Sequence, residues 1–168
     1  MEKMQSTNKV IIVRPHKFIP NPETEKDNNF QDIDASRALE KKTIEKRAYA
    51  EVTAVIKALE NNGIEVQVYE DDGQWQTPDS VFPNNWLSTH SKKRMALYPM
   101  YAINRRLERR DDIISSVINK DNIQEVFDLS GYESQEMYLE GTGAMVLDRV
   151  NDIVYVAESK RSNREVLN

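Results

Sequence analysis

Apolar positions along this chain fall into several short runs and one long helical stripe. Val10 to Val13 form a four-residue apolar run closed by Arg14 and Pro15, which predicts a short buried strand. The polar segment that follows, Lys17 to Asp34, predicts a loop of a length that in compact domains tends to lie over binding sites. From about Ala35 to Asn62 the period becomes helical, with Ala48, Val52, Val55, Ile56 and Leu59 on one face and Asn62 and Gly63 as the stop.

The segment "IEVQVYED" then alternates as a strand does, and "SVFPNNWLSTH" and "RMALYPM" read as two further extended runs. The order repeats. Ile103 to Asn119 predicts a helix with Leu107, Ile113, Ile114, Val117 and Ile118 as its apolar residues, and "IQEVFDL", "LEGTGAMVL" and "DIVYVAE" predict three more strands, the last two joined by the turn "DRVND". Laying one unit over the other pairs "VFPNNWLSTH" with "LEGTGAMVLD" and "RMALYPM" with "DIVYVAE". Such a repeat of helix plus three strands, at about 35–100 and 103–158, suggests a propeller-like, pseudo-symmetric α/β array. In "SKRSNREVLN", Ser162 as N-cap with Glu165 three residues on predicts the start of a third helix.

Length and charge narrow the function classes. The chain has 168 residues, 39% of them hydrophobic, enough for one compact domain or part of a larger one. A net charge of −5 and a pI near 5.2 argue against a phosphate-backbone binder, so no nucleic-acid partner is expected. The short apolar run at Val10 is no membrane span and no signal core, and a cytoplasmic location is expected by default. Cysteine is absent and only His16 and His90 are present, so thiolate chemistry, disulfides and a histidine metal site are not expected from this chain, and no cofactor motif appears.

Candidate chemistry sits at Asp79, Asn84, Asn85 and His90 in the first unit and at Glu140, with Gly141 and Gly143, in the second. If pseudo-symmetry relates the units, Asp79 and Glu140 could face one another as a carboxylate pair, suited to acid and base work or to capture of a guanidinium or urea. Each has a plainer reading. Asp79 after Pro78 is an ordinary turn residue, "PNN" a bulge or turn, "EGTG" a bulge with close backbone approach, and His90 beside "SKK" an exposed strand end. Glu140 is the exception, since a carboxylate between Leu139 and glycines in an apolar strand would be buried and need a partner. The run "RRLERRDD", 105 to 112, reads as a solvated helix face.

Taken in order, "VRPHKFIPNPETEKDNNFQ", "TPDSVFPNNWLSTH", "LYPMYAINRRLERRDDII" and "YLEGTGAMVLDR" resemble the N-terminal half of the amidinotransferase and arginine deiminase-related family, closest to the citrulline-utilisation hydrolases. The resemblance implies a pentein, an α/β propeller of five pseudo-symmetric units, of which residues 1–168 would supply two and the start of a third. It implies a mechanism in which a cysteine attacks the guanidinium or ureido carbon, a histidine shuttles protons and carboxylates hold substrate nitrogens. Glu140 matches the family's acidic residue that orients the catalytic histidine and contacts substrate nitrogen; Asp79 matches the substrate-binding aspartate of the dimethylarginine hydrolases. Asn84 and Asn85 stand where those hydrolases carry acids, and "EGTG" where arginine deiminases usually read Glu-Gly-Gly-Asp, which points toward a neutral ureido group, hence citrulline. The family's catalytic histidine and cysteine belong to later units, and His90 does not match that histidine. The expectation is therefore a truncated or split hydrolase, inactive alone, that binds citrulline or an arginine-like small molecule and pairs with a C-terminal half or with itself. The alternative is a non-catalytic amino-acid or guanidino-ligand binding module, or a degenerate remnant.

Overall fold

The computed structural model of the protein describes residues 4–24 and 41–167, in two compact units, Thr7–Pro83 and Asn84–Asn168 with Met1–Ser6. In the first unit β1 (Lys9–Pro15) and β2 (Glu65–Asp71) pair in parallel from Lys9↔Glu65 to Pro15↔Asp71. Parallel neighbours need a crossover, and α1 (Lys41–Asn61) supplies it. Its end is set by Gly63, whose φ of 77° is open to glycine: the Gly63 N–H donates to Glu60 O and the Ile64 N–H to Leu59 O, both at 3.0 Å, closing the last carbonyls before the chain enters β2.

Residues 35–40 of the expected helix and 25–34 of the expected loop lie outside the described residues. Within α1 the buried face differs from the periodicity reading: Ile56 is buried, whereas Val55 is 51% exposed. The face turned to the sheet includes polar residues, because Arg14 lies over the Tyr49 ring at 4.8 Å and donates to Thr53 Oγ1 at 3.3 Å. In β2 the more deeply buried set is Gln67, Tyr69 and Asp71, with Tyr69 donating to Gln67 Oε1 at 3.1 Å.

In the second unit β3 (Leu87–His90) and β4 (Arg94–Leu97) form an antiparallel hairpin, and β5 (Glu125–Asp128) adds in parallel to β4. β6 (Met145–Asp148) and β7 (Ile153–Val156) form a second hairpin, turned by Asp148, whose Oδ1 accepts the N–H groups of Val150 and Asn151. A core of Ala96, Tyr98, Leu139, Met145 and Val166 joins the two hairpins.

The predicted helix over 103–119 is two helices, α2 (Ile103–Arg106) and α3 (Asp111–Asp121). Leu107, expected inside, is 55% exposed, while Arg105 and Glu108, expected in solvent, are buried. The reason is hydrogen bonding: Arg106 donates to Met100 O at 3.0 Å and Arg109 to Tyr98 O at 3.2 Å, so the arginines turn inward to satisfy the carbonyls that follow β4. α3 ends as α1 does, on a left-handed residue, Asn122 at φ 51°, with the Ile123 N–H reaching Ile118 O at 2.9 Å.

Two predicted strands begin as helical turns. Pro83–Asn85 is a 3₁₀ turn before β3, and α4 (Gly141–Ala144) precedes β6. The expected third helix is a 3₁₀ turn over Arg164–Leu167, and Ser162 donates to Ala157 O instead of capping it. Helix, parallel strand, helical turn and hairpin thus recur in one order. The sheet nevertheless joins β3 and β4 of one repeat to β5 of the next, so strands that share a sheet are staggered against the sequence repeat. Among the described residues no helix is long and apolar enough to cross a membrane.

Candidate functional site

In the second unit the chain around Glu140 is drawn into one spot by close backbone approach. A Cβ at Gly141 would collide with Asn84 O and come within 2.9 Å of Asn85 O, and one at Gly143 would meet the Asn85 amide. Glycine at both positions lets α4 lie against the Pro83–Asn85 turn, and this contact is why "PNN" and "EGTG" belong together. The asparagines then divide. Asn85 donates from Nδ2 to Glu140 Oε2 at 3.4 Å, whereas exposed Asn84 donates to Thr142 Oγ1 at 3.2 Å.

Glu140 is 2% exposed, which meets the expectation that it would be buried and partnered. Its Oε1 accepts the Tyr101 N–H at 3.1 Å, and Arg161 Nη1 donates to Oε1 at 3.2 Å and Oε2 at 3.3 Å. Main chain holds the same pair, since the Glu140 N–H donates to Arg161 O at 3.0 Å. Arg161 also lies over the Tyr101 ring at 5.5 Å, so a guanidinium rests between a buried carboxylate and an aromatic face. Behind Glu140, Arg105 is clamped by Glu108 through Nε to Oε1 at 2.9 Å and Nη2 to Oε2 at 3.0 Å, with its Nη1 at 3.8 Å from Glu140 Oε2. The Tyr98–Tyr101 strap that brings in the Tyr101 N–H is fixed by Glu133, which accepts the Met100 N–H at 2.8 Å and binds Arg109 at 2.6 and 2.8 Å.

Asp79 belongs to the first unit and is 6% exposed. Its Oδ2 accepts Asn21 Nδ2 at 2.7 Å, and Asn21, from the segment after β1, is itself fully buried, its Oδ1 accepting the Glu23 N–H at 3.0 Å. The expected loop therefore carries a buried anchor on Asp79. His90 is half-buried at the end of β3 and not an exposed strand end: Ser88 Oγ sits 2.7 Å from both His90 Nε2 and Tyr98 Oη. Burial, with Arg149 and Arg94 nearby, lowers its pKa. Among the described residues no group of three or more His, Cys, Asp or Glu is placed to hold a metal ion.

Of the residues expected from sequence, the structure brings Asn85 to Glu140 and Asn84 to Thr142, and it adds Arg105, Glu108 and Arg161 around Glu140 and, in the other unit, Asn21 on Asp79, which the sequence reading did not single out. The i, i+3 spacing of Arg105 and Glu108 was visible, but on an isolated helix that spacing is as common on a wet surface.

Mixed α/β repeats of this kind define the class: the fold is that of the pentein domains, of which this chain carries a part. The chain belongs to the family described as N,N dimethylarginine dimethylhydrolase, eukaryotic, which it matches over residues 14–168. It is similar to the N-terminal domain of ArgZ, an arginine dihydrolase from the ornithine-ammonia cycle in Cyanobacteria, solved as a cysteine-to-serine mutant bound to substrate, with TM-score 0.63 and 17% identity over 94% of this chain and 51% of that one. Unliganded AgrE gives the same TM-score and identity over 94% of this chain and 20% of its own. A dimethylarginine dimethylaminohydrolase, in a histidine-to-glycine variant bearing an adduct with S-methyl-L-thiocitrulline, gives TM-score 0.58 and 19% identity over 94% and 53%. The chain therefore spans about half the length of the ArgZ domain and of the dimethylaminohydrolase. No curated protein matches it.

Proposed function

We propose that residues 1–168 form the N-terminal part of a single pentein domain and supply the substrate-holding side of a hydrolase that breaks a C–N bond of a guanidino or ureido group. The observation that carries this reading is that Glu140, buried and hydrogen-bonded, already holds a guanidinium, that of Arg161. A carboxylate so placed accepts two N–H groups of a substrate and keeps its reacting carbon in a fixed position. Asp79, held by Asn21, is read as a substrate-binding carboxylate and Glu140 as a member of the catalytic set, each within its own unit. The sequence holds no cysteine, so in this reading the thiolate that adds to the carbon, and the histidine that protonates the departing amine, come from polypeptide outside these 168 residues.

Arginine and methylated arginines are the substrate class that accords with the family. Citrulline is the second reading, carried by Asn84 and Asn85, whose amides stand where carboxylates would favour a cation. Both asparagines have an N–H committed within the chain, to Thr142 and Glu140, which weakens that second reading without removing it. A partner chain, either a C-terminal half or a second copy, is part of the same proposal. The apolar pair Val146 and Tyr155 on β6 and β7 is 65% and 57% exposed, and Phe127 on β5 44%, and such surface favours association.

Calorimetry with L-arginine and L-citrulline on the chain tests the reading. Binding is expected, with no turnover, and Glu140→Gln should abolish the heat of arginine binding. Binding that is unchanged in that variant would remove Glu140 from the site. Binding by a strictly monomeric chain would favour a non-catalytic binding module, and binding that appears only on association would favour a split enzyme.

A further inference from the structure

We propose that the end of the β3–β4 hairpin and the turn between β6 and β7 form a binding site for a phosphate-type dianion, built by His90, Arg94 and Arg149. It is separate from the seat at Glu140 and does not rest on it.

Register brings the three side chains together within the second unit. His90 pairs with Arg94 across the antiparallel ladder, so both side chains leave the same face of the sheet. Arg149 arrives from the β6–β7 turn: its N–H donates to Gln5 Oε1 at 2.8 Å, Gln5 Nε2 donates to Leu147 O at 2.8 Å, and Arg149 Nη1 donates to Thr89 O at 3.2 Å, next to His90. All three residues are half-buried, so solvent reaches them.

Like charges set opposite one another weaken a ladder, and a chain with 28 acidic residues against 23 basic ones has carboxylates to place there. None is placed. Among the described residues neither Arg94 nor Arg149 forms an ion pair. Arg94 donates from Nε to Ser91 O at 3.2 Å, which leaves its two terminal nitrogens, with Nε and Nη2 of Arg149, without an acceptor among those residues. An oxyanion from solvent would complete the set.

A relay of hydroxyls supplies the third donor. Ser88 Oγ lies 2.7 Å from both His90 Nε2 and Tyr98 Oη, and burial raises the Tyr98 pKa, so the phenol keeps its proton. Tyr98 donating to Ser88, and Ser88 to Nε2, uses both hydroxyl protons and leaves the ring proton on Nδ1, which has no acceptor among the described residues. The groups that act on His90 are thus Ser88 and Tyr98 through the relay, Arg94 opposite and Arg149 from the turn. In the free chain, burial and the two guanidinium charges favour the neutral ring. A dianion reverses that balance, since it meets two permanent charges and draws a third by protonating His90. A monocarboxylate is already outweighed by the arginines and gains less from that proton.

NMR of the ring Cε1–H signals of His90 and His16 in the whole chain, assigned with His90→Gln, reads the site. In sodium sulfate the His90 titration midpoint should rise by at least about 0.5 over sodium chloride at matched ionic strength, which by linkage means that sulfate binds the protonated form at least about threefold tighter. The His16 signal, from a ring paired with Glu70, should not respond to the change of salt. Sodium acetate should raise the His90 midpoint by less than about 0.2. Arg94→Gln and Arg149→Gln, each with its fold checked by melting temperature, should cut the sulfate effect by at least about half. If one of them does not fold, the other variant and the wild-type comparison decide. A His90 midpoint equal in sulfate and chloride overturns the proposal, as does an equal response of His16, an acetate effect that matches sulfate, or a sulfate effect undiminished in the folded arginine variants. Calorimetry with inorganic phosphate and with glycerol 3-phosphate then separates the free ion from a phosphate monoester, the tighter binder naming the source; heat from neither overturns the phosphate class.

Discussion

Gly141→Ala and Gly143→Ala add the same methyl group two residues apart and should differ sharply in outcome. At Gly141 the backbone φ is 28°, a region that side chains rarely occupy, and the added Cβ meets backbone oxygens of Asn84 and Asn85. Neither obstacle can swing away. The conformational cost is about 1–3 kcal/mol, and forced repacking adds about 1–3 kcal/mol. A total near 3 kcal/mol, at about 2–4 °C per kcal/mol for a chain of this size, lowers the melting temperature by roughly 6–12 °C. At Gly143 the new methyl meets the Asn85 amide, with its Oδ1 at 3.0 Å, and a side-chain amide can rotate. The loss there is the Asn85–Glu140 hydrogen bond, worth about 1 kcal/mol, together with weaker ligand binding at Glu140. Differential scanning calorimetry on both variants, with arginine titrations, provides the comparison. If Gly141→Ala melts within about 2 °C of wild type, or below it no further than Gly143→Ala does, the close-approach explanation of "EGTG" is wrong.

Other outcomes follow from the same geometry. Gly63 has a φ of 77° and open space around its Cβ position, so Gly63→Ala should cost only the left-handed backbone penalty, about 1–2 kcal/mol in chemical denaturation, with ligand binding unchanged. Glu140→Gln should destabilise the fold less than Glu108→Gln, as judged by melting temperature, because Arg161 can turn to solvent while Arg105 cannot. His90 has a lowered pKa, chiefly from burial, so the unfolded chain takes up a proton first as pH falls through about 6.5. Stability should therefore drop on acidification below that value and level off once the folded His90 also protonates. His90→Gln should flatten the melting-temperature profile between about pH 7.5 and 5.5; an unaltered slope would exclude His90 as the source.

What could be read from the chain alone was whatever depends on neighbours in sequence. β1, β2 and the hairpin strands follow from short apolar or alternating runs between turn residues, and the end of α1 from Gly63, because a left-handed cap needs only local backbone freedom. The burial of Glu140 was legible for a similar reason: a carboxylate set between Leu139 and Gly141 has no wet face to occupy. The pairing of "PNN" with "EGTG" was visible as a repeat, though the contact that glycine permits between them was not.

Tertiary structure decided the rest. Whether "RRLERRDD" meets water depends on carbonyls left open after β4, a demand that arises only once β4 and its strap are in place. Arg106 and Arg109 answer it, and Arg105 in α2 and Glu108 in the turn after it come inward as a pair. Arg161 reaches Glu140 because its backbone carbonyl pairs with the Glu140 N–H across a separation of 21 residues, which no local period encodes. Hydrophobic pattern tells which side chains leave water. Which charges may follow them depends on the partners that the folded chain brings within hydrogen-bonding distance.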